Sequence, residues 1–174
     1  LSSGELAAMA FVTTHTAAAA ATLTWIAVEW YHRGKPTMFG AATGAIAGLA
    51  TITPAAGFVG PPAALAIGVG AGLLCYTALN AKVKFRYDDS LDAFGVHGVG
   101  GTLGTVMAGV FASTAINSGG ANGLLFGNPR QLAVQAGAVL LIAAYSFTVS
   151  LVLFKVLDAT MGLRVTKDEE TEGL

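Results

Sequence analysis

One histidine stands in a run of small and apolar residues, and its surroundings suggest a site that handles protons. The stretch is Ala93-Phe94-Gly95-Val96-His97-Gly98-Val99-Gly100-Gly101. A neutral imidazole offers one hydrogen-bond donor and one acceptor, and a titratable group inside an apolar helix points to function. At helical spacing His97 shares a face with small residues alone: Ala93, Gly101, Gly104 and Ala108. This pattern predicts a narrow path lined by His97, Ala93 and Gly101. A structural histidine bonded to a neighbouring helix is the alternative.

Other polar groups are candidates for supporting roles. His15 stands mid-helix in Thr13-Thr14-His15-Thr16, where such side chains either hydrogen-bond between helices or line a wet cavity. Thr53 precedes Pro54, which frees a backbone carbonyl, and we expect Thr53 or a neighbouring helix to satisfy that carbonyl. His32 lies beside basic residues, and we expect it to be a solvated loop residue.

The segment before His97 is rich in helix-capping residues. Asp89 or Ser90 is the expected N-cap, because Asp and Ser satisfy the free amides of a first helical turn and carboxylates suit its positive end. Asp92 lies at a membrane edge, and we expect a structural role there with Lys84 or Arg86 as its partner.

The chain lacks the motifs of several protein classes. Cys75 is its one cysteine, which excludes a disulfide scaffold and a thiolate metal cluster. It contains no nucleophile–base pairing, no metal-ligand spacing and no phosphate-binding loop, so we expect no enzyme activity, metal or cofactor. A net charge of −1 offers no basic footprint for nucleic acid.

The elements that must position His97 are membrane-spanning helices. Only 11% of the 174 residues are charged and 54% are hydrophobic, whereas soluble domains have about 25% charged residues. A spanning helix needs about 20 apolar residues, and the charge-free gaps predict an all-α integral membrane fold with five such helices. Their predicted limits are 5–31, 38–57, 61–83, 91–113 and 130–158, followed by a cytoplasmic tail at 163–174.

Basic loops alternate with uncharged ones, which sets the expected orientation. The connections near 33 and 84 and the tail carry Lys and Arg, while the connections near 60 and 120 do not. By the positive-inside rule, the N-terminal end lies outside and the C-terminal tail is cytoplasmic. Glycines recur every fourth residue, a spacing that lets helices approach closely in lipid; they are Gly40, Gly44, Gly48, Gly100 and Gly104.

Several motifs together resemble the signature of the ammonium transporter (Amt/Mep/Rh) family. They are Asp88 to Gly101, Arg33-Gly34-Lys35-Pro36, Gly44 to Leu49, Ile52 to Gly57 and Gly162-Leu163-Arg164-Val165. They follow the family's order over nearly the whole chain, and they look most like its bacterial and archaeal branch. The resemblance implies a homotrimer of eleven-helix subunits built on an inverted repeat. The five helices here would be the seventh to the eleventh. Residues 1–162 would then be the C-terminal transmembrane portion of the subunit.

The resemblance also implies a function and partners. It makes His97 the second histidine of a twin-histidine relay in a narrow hydrophobic pore that carries ammonium or ammonia across the inner (plasma) membrane. The first histidine would belong to a helix outside this chain. An ammonium sensor, in which such a domain is coupled to a signalling module, is the alternative. The charged tail would help to dock a PII signalling protein, or else it is a solvated tail.

Overall fold

The computed structural model describes residues 3–173, and within that range every regular element is helical. The chain divides into two compact units, residues 1–137 and 138–174, of which the first contains His97. The elements in chain order are α1 (Glu5–Arg33), α2 (Met38–Ile52), α3 (Pro61–Phe85), a π-helical turn (Phe94–Gly98), α4 (Val99–Phe111), a 3₁₀ turn (Leu124–Phe126), α5 (Pro129–Thr160) and α6 (Lys167–Glu172).

Within the described residues, four helical segments are long and apolar enough to cross a membrane. They are Glu5–Arg33, Pro61–Phe85, Phe94–Phe111 and Pro129–Thr160, while Met38–Ile52 is apolar but shorter. At about 1.5 Å per residue, the 15 residues of α2 span roughly 22 Å, less than the ~30 Å hydrocarbon core of a bilayer. The predicted all-helical membrane fold is confirmed.

Helix α2 ends at Ile52, five residues before the predicted limit at 57. Pro54 has no amide proton to continue the helical ladder. The amides of Ala55 and Ala56 instead both donate to the carbonyl of Ile52, at 2.8 Å each. The chain therefore leaves α2 in tight turns and re-enters a helix at Pro61, where a proline suits the first turn.

Helix α1 packs between α2 and α3 through small residues on all three helices. Ala17 is fully buried. A Cβ added to Gly48 of α2 would lie 2.6 Å from the carbonyl oxygen of Ala17, and one added to Gly68 of α3 would lie 2.5 Å from the same oxygen. Real Cβ atoms do not approach so closely, so the glycines permit this packing. The glycine spacing in the sequence thus marks helix contacts, as small-residue patterns do in lipid.

A second buried cluster joins α1 and α3 to the turn that carries His97. Trp25 is 3% exposed and packs edge-on against Tyr76, with ring centroids 5.3 Å apart. Cys75 and Val96 lie in the same cluster. Since Val96 immediately precedes His97, burial of Val96 fixes the inner side of that turn.

Helix α5 is apolar on all sides over most of its length, and most of it lies in the second unit. Its residues from Leu140 to Thr160 are all exposed, with large hydrophobic residues such as Leu140, Phe147 and Leu153 each more than half exposed. A helix that is hydrophobic all round is typical of a membrane-spanning segment. The tail is not simply extended, because residues Lys167–Glu172 form α6, which starts with a capping box between Thr166 and Glu169. Leu174 lies outside the described residues.

Candidate functional site

His97 lies in a π-helical turn, and it is exposed. The turn comprises Phe94–Gly98 and leads directly into α4. His97 and Ala93 are exposed, and a Cβ added to Gly101 would meet no atom within 4 Å. Single π turns are rare and occur frequently at functional sites. The structure therefore places the three residues predicted to line the path along one open side of this segment.

The predicted stripe of small residues divides into two faces, and to that extent the prediction is wrong. Gly104 and Ala108 are buried, and a Cβ added to Gly104 would overlap the carbonyl oxygen of Thr51 on α2. The packed positions Val96, Gly100, Gly104 and Ala108 recur every four residues, one residue before His97 and Gly101. The three-residue step from Gly101 to Gly104 therefore leads from the open side onto the packed side.

The side of this segment that packs against other helices is offset from His97 by one residue. Gly95 and Val96 are buried, and the buried positions continue at Gly100 and Gly104. Gly95 packs closely against α3, since a Cβ there would lie 2.5 Å from Cδ1 of Leu79, the end of a flexible side chain. The turn is thus pressed against α3 on one side, which leaves His97 on the other.

The turn begins with a cap from Asp89. One carboxylate oxygen of Asp89 accepts hydrogen bonds from the backbone amides of Phe94 (3.1 Å) and Gly95 (3.2 Å). Ser90 instead donates to the carboxylate of Asp88. Of the two expected caps, Asp89 therefore fills the role, although it acts from five and six residues away.

Asp92 forms an ion pair, but its partner differs from both expected residues. Lys82 on α3 donates to the carboxylate of Asp92 and, at 2.8 Å, to the carbonyl of Asp89. Lys84 and Arg86, the partners expected from proximity in sequence, are exposed. Leu79 precedes Lys82 by three residues, so the two lie on the same face of α3. This face is turned toward the His97 segment.

The other candidate residues lie away from His97. His15 is exposed on α1, where its ring lies 4.3 Å from that of Phe11 in the same helix. Within residues 3–173, α1 does not pack against α4, so His15 and His97 belong to different parts of the first unit. Thr53 donates to the carbonyl of Leu49 within its own helix at 2.7 Å.

His32 is exposed, as expected, but it lies in a helix and not in a loop. It lies in the last turn of α1, and its Nδ1 is 2.8 Å from the hydroxyl of Tyr76 on α3. The two rings meet edge-on, with centroids 5.9 Å apart. The solvent exposure expected from its basic neighbours is present, and the contact with Tyr76, 44 residues away, is one that the local sequence does not indicate.

The sequence reasoning did not single out Glu29, a carboxylate that is 3% exposed. It accepts hydrogen bonds from the amide and the hydroxyl of Thr37, both at 3.0 Å. Thr37 in turn caps α2 by accepting from the amide of Gly40, and a Cβ on Gly40 would lie 2.8 Å from Cδ of Glu29. The signal available in the sequence was an acidic residue one turn before the end of α1, at the edge of a stretch without charges from Leu6 to Val28.

Glu29 borders a cavity of about 170 Å³ between α1, α2 and α3. The charged groups that line it are Glu29, Arg33, Lys82 and Asp92. Its walls therefore carry two carboxylates and two cations, a balance that selects no single class of ligand. We call Glu29 and its hydrogen bonds to Thr37 the Glu29 clamp. The cavity is bordered both by this clamp and by the Lys82–Asp92 ion pair, and Asp92 directly precedes the segment that carries His97.

Comparison with known proteins identifies the family. A family model described as Ammonium Transporter Family matches residues 1–174. The chain belongs to the ammonium transporter family. It is 48% identical over 170 residues to an ammonium transporter of Bacillus subtilis, an alignment that covers 97% of this chain and 42% of that relative. This member of the family thus spans less than half the length of such a relative.

Solved structures support the same assignment. A crystal structure of Saccharomyces cerevisiae Mep2 matches with a TM-score of 0.89 and 35% identity, covering 94% of this chain and 38% of that one. A structure described as a sensor Amt protein matches with a TM-score of 0.84 and 27% identity, covering 98% of this chain and 42% of that one. The fold of this ammonium transporter family member is therefore shared with Mep2 and with a protein described as a sensor.

Proposed function

We propose that the protein to which this chain belongs moves ammonium or ammonia across a membrane, and that His97 lies on the path. The support is the family match over the whole chain and the transporter name of a relative with 48% identity. The proposal extends from the family to a specific residue because His97 carries the chemistry that a small polar solute requires in an apolar setting.

The observation that carries the proposal is the exposed position of His97 in a π turn. A neutral imidazole accepts a hydrogen bond at one nitrogen and donates at the other. Such a group can replace water around a nitrogen species that has left the solvent. Ala93 and Gly101 flank His97 with little bulk, which leaves room beside the ring for a small solute.

The test is ammonium-evoked current in liposomes that contain the complete protein. We expect current in the wild type and its loss, or a strong reduction, in His97→Ala. His15→Ala is the matched control, because His15 is also an exposed helical histidine but lies on α1, away from α4. Unchanged current in His97→Ala, with the protein intact by size-exclusion chromatography, would remove His97 from the path.

The same experiment addresses the sensor alternative. Saturable ammonium binding without current in the wild type would favour a sensor over a transporter. The transporter is the better-supported function, since the Bacillus subtilis transporter is 48% identical and the sensor structure 27% identical to this chain.

We also propose a location and an orientation. The protein lies in the inner (plasma) membrane with its C-terminal tail in the cytoplasm, as the basic loops favour. The chain corresponds to helices seven to eleven of an eleven-helix subunit of the prokaryotic branch, with the partner histidine on another helix of that subunit. Labelling of single cysteines introduced at 118 and 172, with a reagent that does not cross membranes, tests the orientation: only 118 should react from outside.

For the assembly, we propose a homotrimer and a PII signalling protein as the cytoplasmic partner. The support is the family match together with a tail that holds a defined acidic helix, α6. Native mass spectrometry of the complete protein should show three subunits. A pull-down with the cognate PII protein should weaken when residues 163–174 are removed, and equal recovery without them would contradict a docking role for the tail.

A further inference from the structure

We propose that Lys82 is a positioning residue for His97, acting through Asp92 and Asp89. The inference deepens the proposed function, since it concerns how the same imidazole is aimed. It does not require Lys82 to touch the solute. It requires that the conformation of the loop before α4 depend on contacts made by this one ammonium group.

Lys82 ties two residues of that loop to helix α3. Its Nζ donates to the carboxylate of Asp92 and to the carbonyl oxygen of Asp89, the latter at 2.8 Å. The side chains of Lys82 and Asp92 are 23% and 19% exposed, so the pair is largely withdrawn from water and weakly screened compared with a surface ion pair. One ammonium group thus fixes two positions that lie three residues apart.

Asp92 occupies a backbone conformation that needs such support. Its φ is +57°, in the left-handed region, which residues other than glycine adopt at a cost, although Asp does so more readily than most. The carbonyl of Asp92 accepts the amide of Val96 at 2.9 Å, so Asp92 makes one of the first hydrogen bonds of the helical segment. The direction in which the chain enters the π turn therefore depends on the backbone of Asp92.

Asp89 supplies the second connection. Its carboxylate caps the turn at the amides of Phe94 and Gly95, while its carbonyl is held by Lys82. From the same face of α3, Leu79 fills the space beside Gly95. Leu79 and Lys82 thus both contact the start of the turn from α3. His97 follows Gly95 by two residues and lies on the opposite side of the turn.

A second lysine nearby provides a way to show that the effect is specific to Lys82. Lys84 lies two residues further along the same helix and is exposed. If the loop needed only positive charge at this end of α3, Lys84 would serve as well as Lys82. The proposal assigns the effect to the hydrogen bonds of Lys82, so the two lysines must behave differently.

The experiment compares Lys82→Met, Lys82→Arg and Lys84→Met in the complete protein. The first readout is the ¹⁵N spectrum of the His97 imidazole in membranes, assigned with His97→Gln, and the second is ammonium-evoked current. We expect Lys82→Met to shift the His97 signals and lower the current at least about tenfold, because small misplacements of a reacting group cost up to ~100-fold. Lys82→Arg should retain most of both, and Lys84→Met should match the wild type.

A double variant tests the route through Asp92. Glycine adopts positive φ without penalty, so adding Asp92→Gly to Lys82→Met should bring the His97 signals back toward the wild type. If Lys82→Met does not fold, recovery of folding in the double variant supports the proposal in the same way. The proposal is overturned if folded Lys82→Met leaves the His97 signals unchanged, if Lys84→Met shifts them equally, or if Asp92→Gly brings no recovery. The spectrum does not depend on transport, so absence of current in the wild type would count against the proposed function alone.

Discussion

Two glycines three residues apart in α4 should respond oppositely to the same substitution. A Cβ on Gly104 would overlap the carbonyl oxygen of Thr51 and lie 2.8 Å from its carbonyl carbon, whereas a Cβ on Gly101 would meet nothing within 4 Å. The obstacle at Gly104 is backbone at the end of α2, which cannot swing aside as a flexible side chain does. Gly104→Ala must therefore push α2 and α4 apart.

The size of the effect follows from two opposing contributions. Alanine favours a helix over glycine by about 1 kcal/mol, and this contribution is common to both variants. Overpacking a tight contact costs about 1–3 kcal/mol, occasionally more, and this cost applies to Gly104 alone. Gly101→Ala should therefore be neutral or stabilising by up to about 1 kcal/mol, and Gly104→Ala should be less stable than Gly101→Ala by about 1–3 kcal/mol.

The assay is equilibrium unfolding of the complete protein in mixed micelles, with Gly104→Ala and Gly101→Ala measured side by side. The difference between the variants isolates the contact with Thr51, because the helix-propensity contribution cancels. Transport provides a second contrast, since Gly101 lies along the proposed path. Gly101→Ala should lower current without lowering stability. Equal stability of the two variants would refute the close approach of α2 and α4 at Gly104.

Three further predictions concern hydrogen bonds made by side chains outside the His97 segment. Glu29→Ala should destabilise the protein by about 1.5–3 kcal/mol, because it removes a buried charged acceptor of two hydrogen bonds. Arg33→Ala should cost less than about 1 kcal/mol, because the ion pair between Arg33 and Glu29 spans 3.9 Å and the arginine side chain is 55% exposed. Equal losses of stability in the two variants would contradict the role of the hydrogen bonds between Glu29 and Thr37. Thr13→Val should cost about 1 kcal/mol in the same unfolding assay, since the buried hydroxyl donates at 2.8 Å to the connection between α2 and α3; no loss would argue against that bond. In the tail, hydrogen bonds from the hydroxyl and then the amide of Thr166 hold the pKa of Glu169 below its ordinary value of 4.5. The capping box is therefore intact above that value and is lost as the pH falls through the lowered pKa. An NMR titration should show α6 melting below pH 4.5, with Thr166→Ala raising the pKa of Glu169, and a pKa at the ordinary value would contradict the cap.

The sequence predicts the membrane fold because the absence of charge is a property of whole segments. Long runs without Asp, Glu, Lys or Arg require helices in lipid, whatever their neighbours are. The limit of α2 was harder to predict, since Pro54 alone does not state whether a helix kinks or stops. The turn bonds to the carbonyl of Ile52 decide that it stops.

The side of the helix on which each small residue lies could not be predicted from spacing alone. Helical spacing groups His97 with Gly104 and Ala108, whereas packing against Thr51 of α2 buries Gly104 and leaves Gly101 open. Glu29 and Lys82 were missed for a related reason. Each acts through a group distant in sequence or through the backbone, Thr37 for Glu29 and the carbonyl of Asp89 for Lys82, and such contacts depend on packing rather than on local pattern.

The most direct test of the account is the response of the His97 imidazole to ammonium. The complete protein, with ¹⁵N-labelled histidine in membranes, is compared in the presence and absence of ammonium, with His97→Gln and His15→Gln used for assignment. The account predicts that ammonium shifts the His97 ring nitrogens in a saturable manner and leaves those of His15 unchanged. A His97 spectrum that does not respond to ammonium, in protein that carries ammonium-evoked current, would contradict the account.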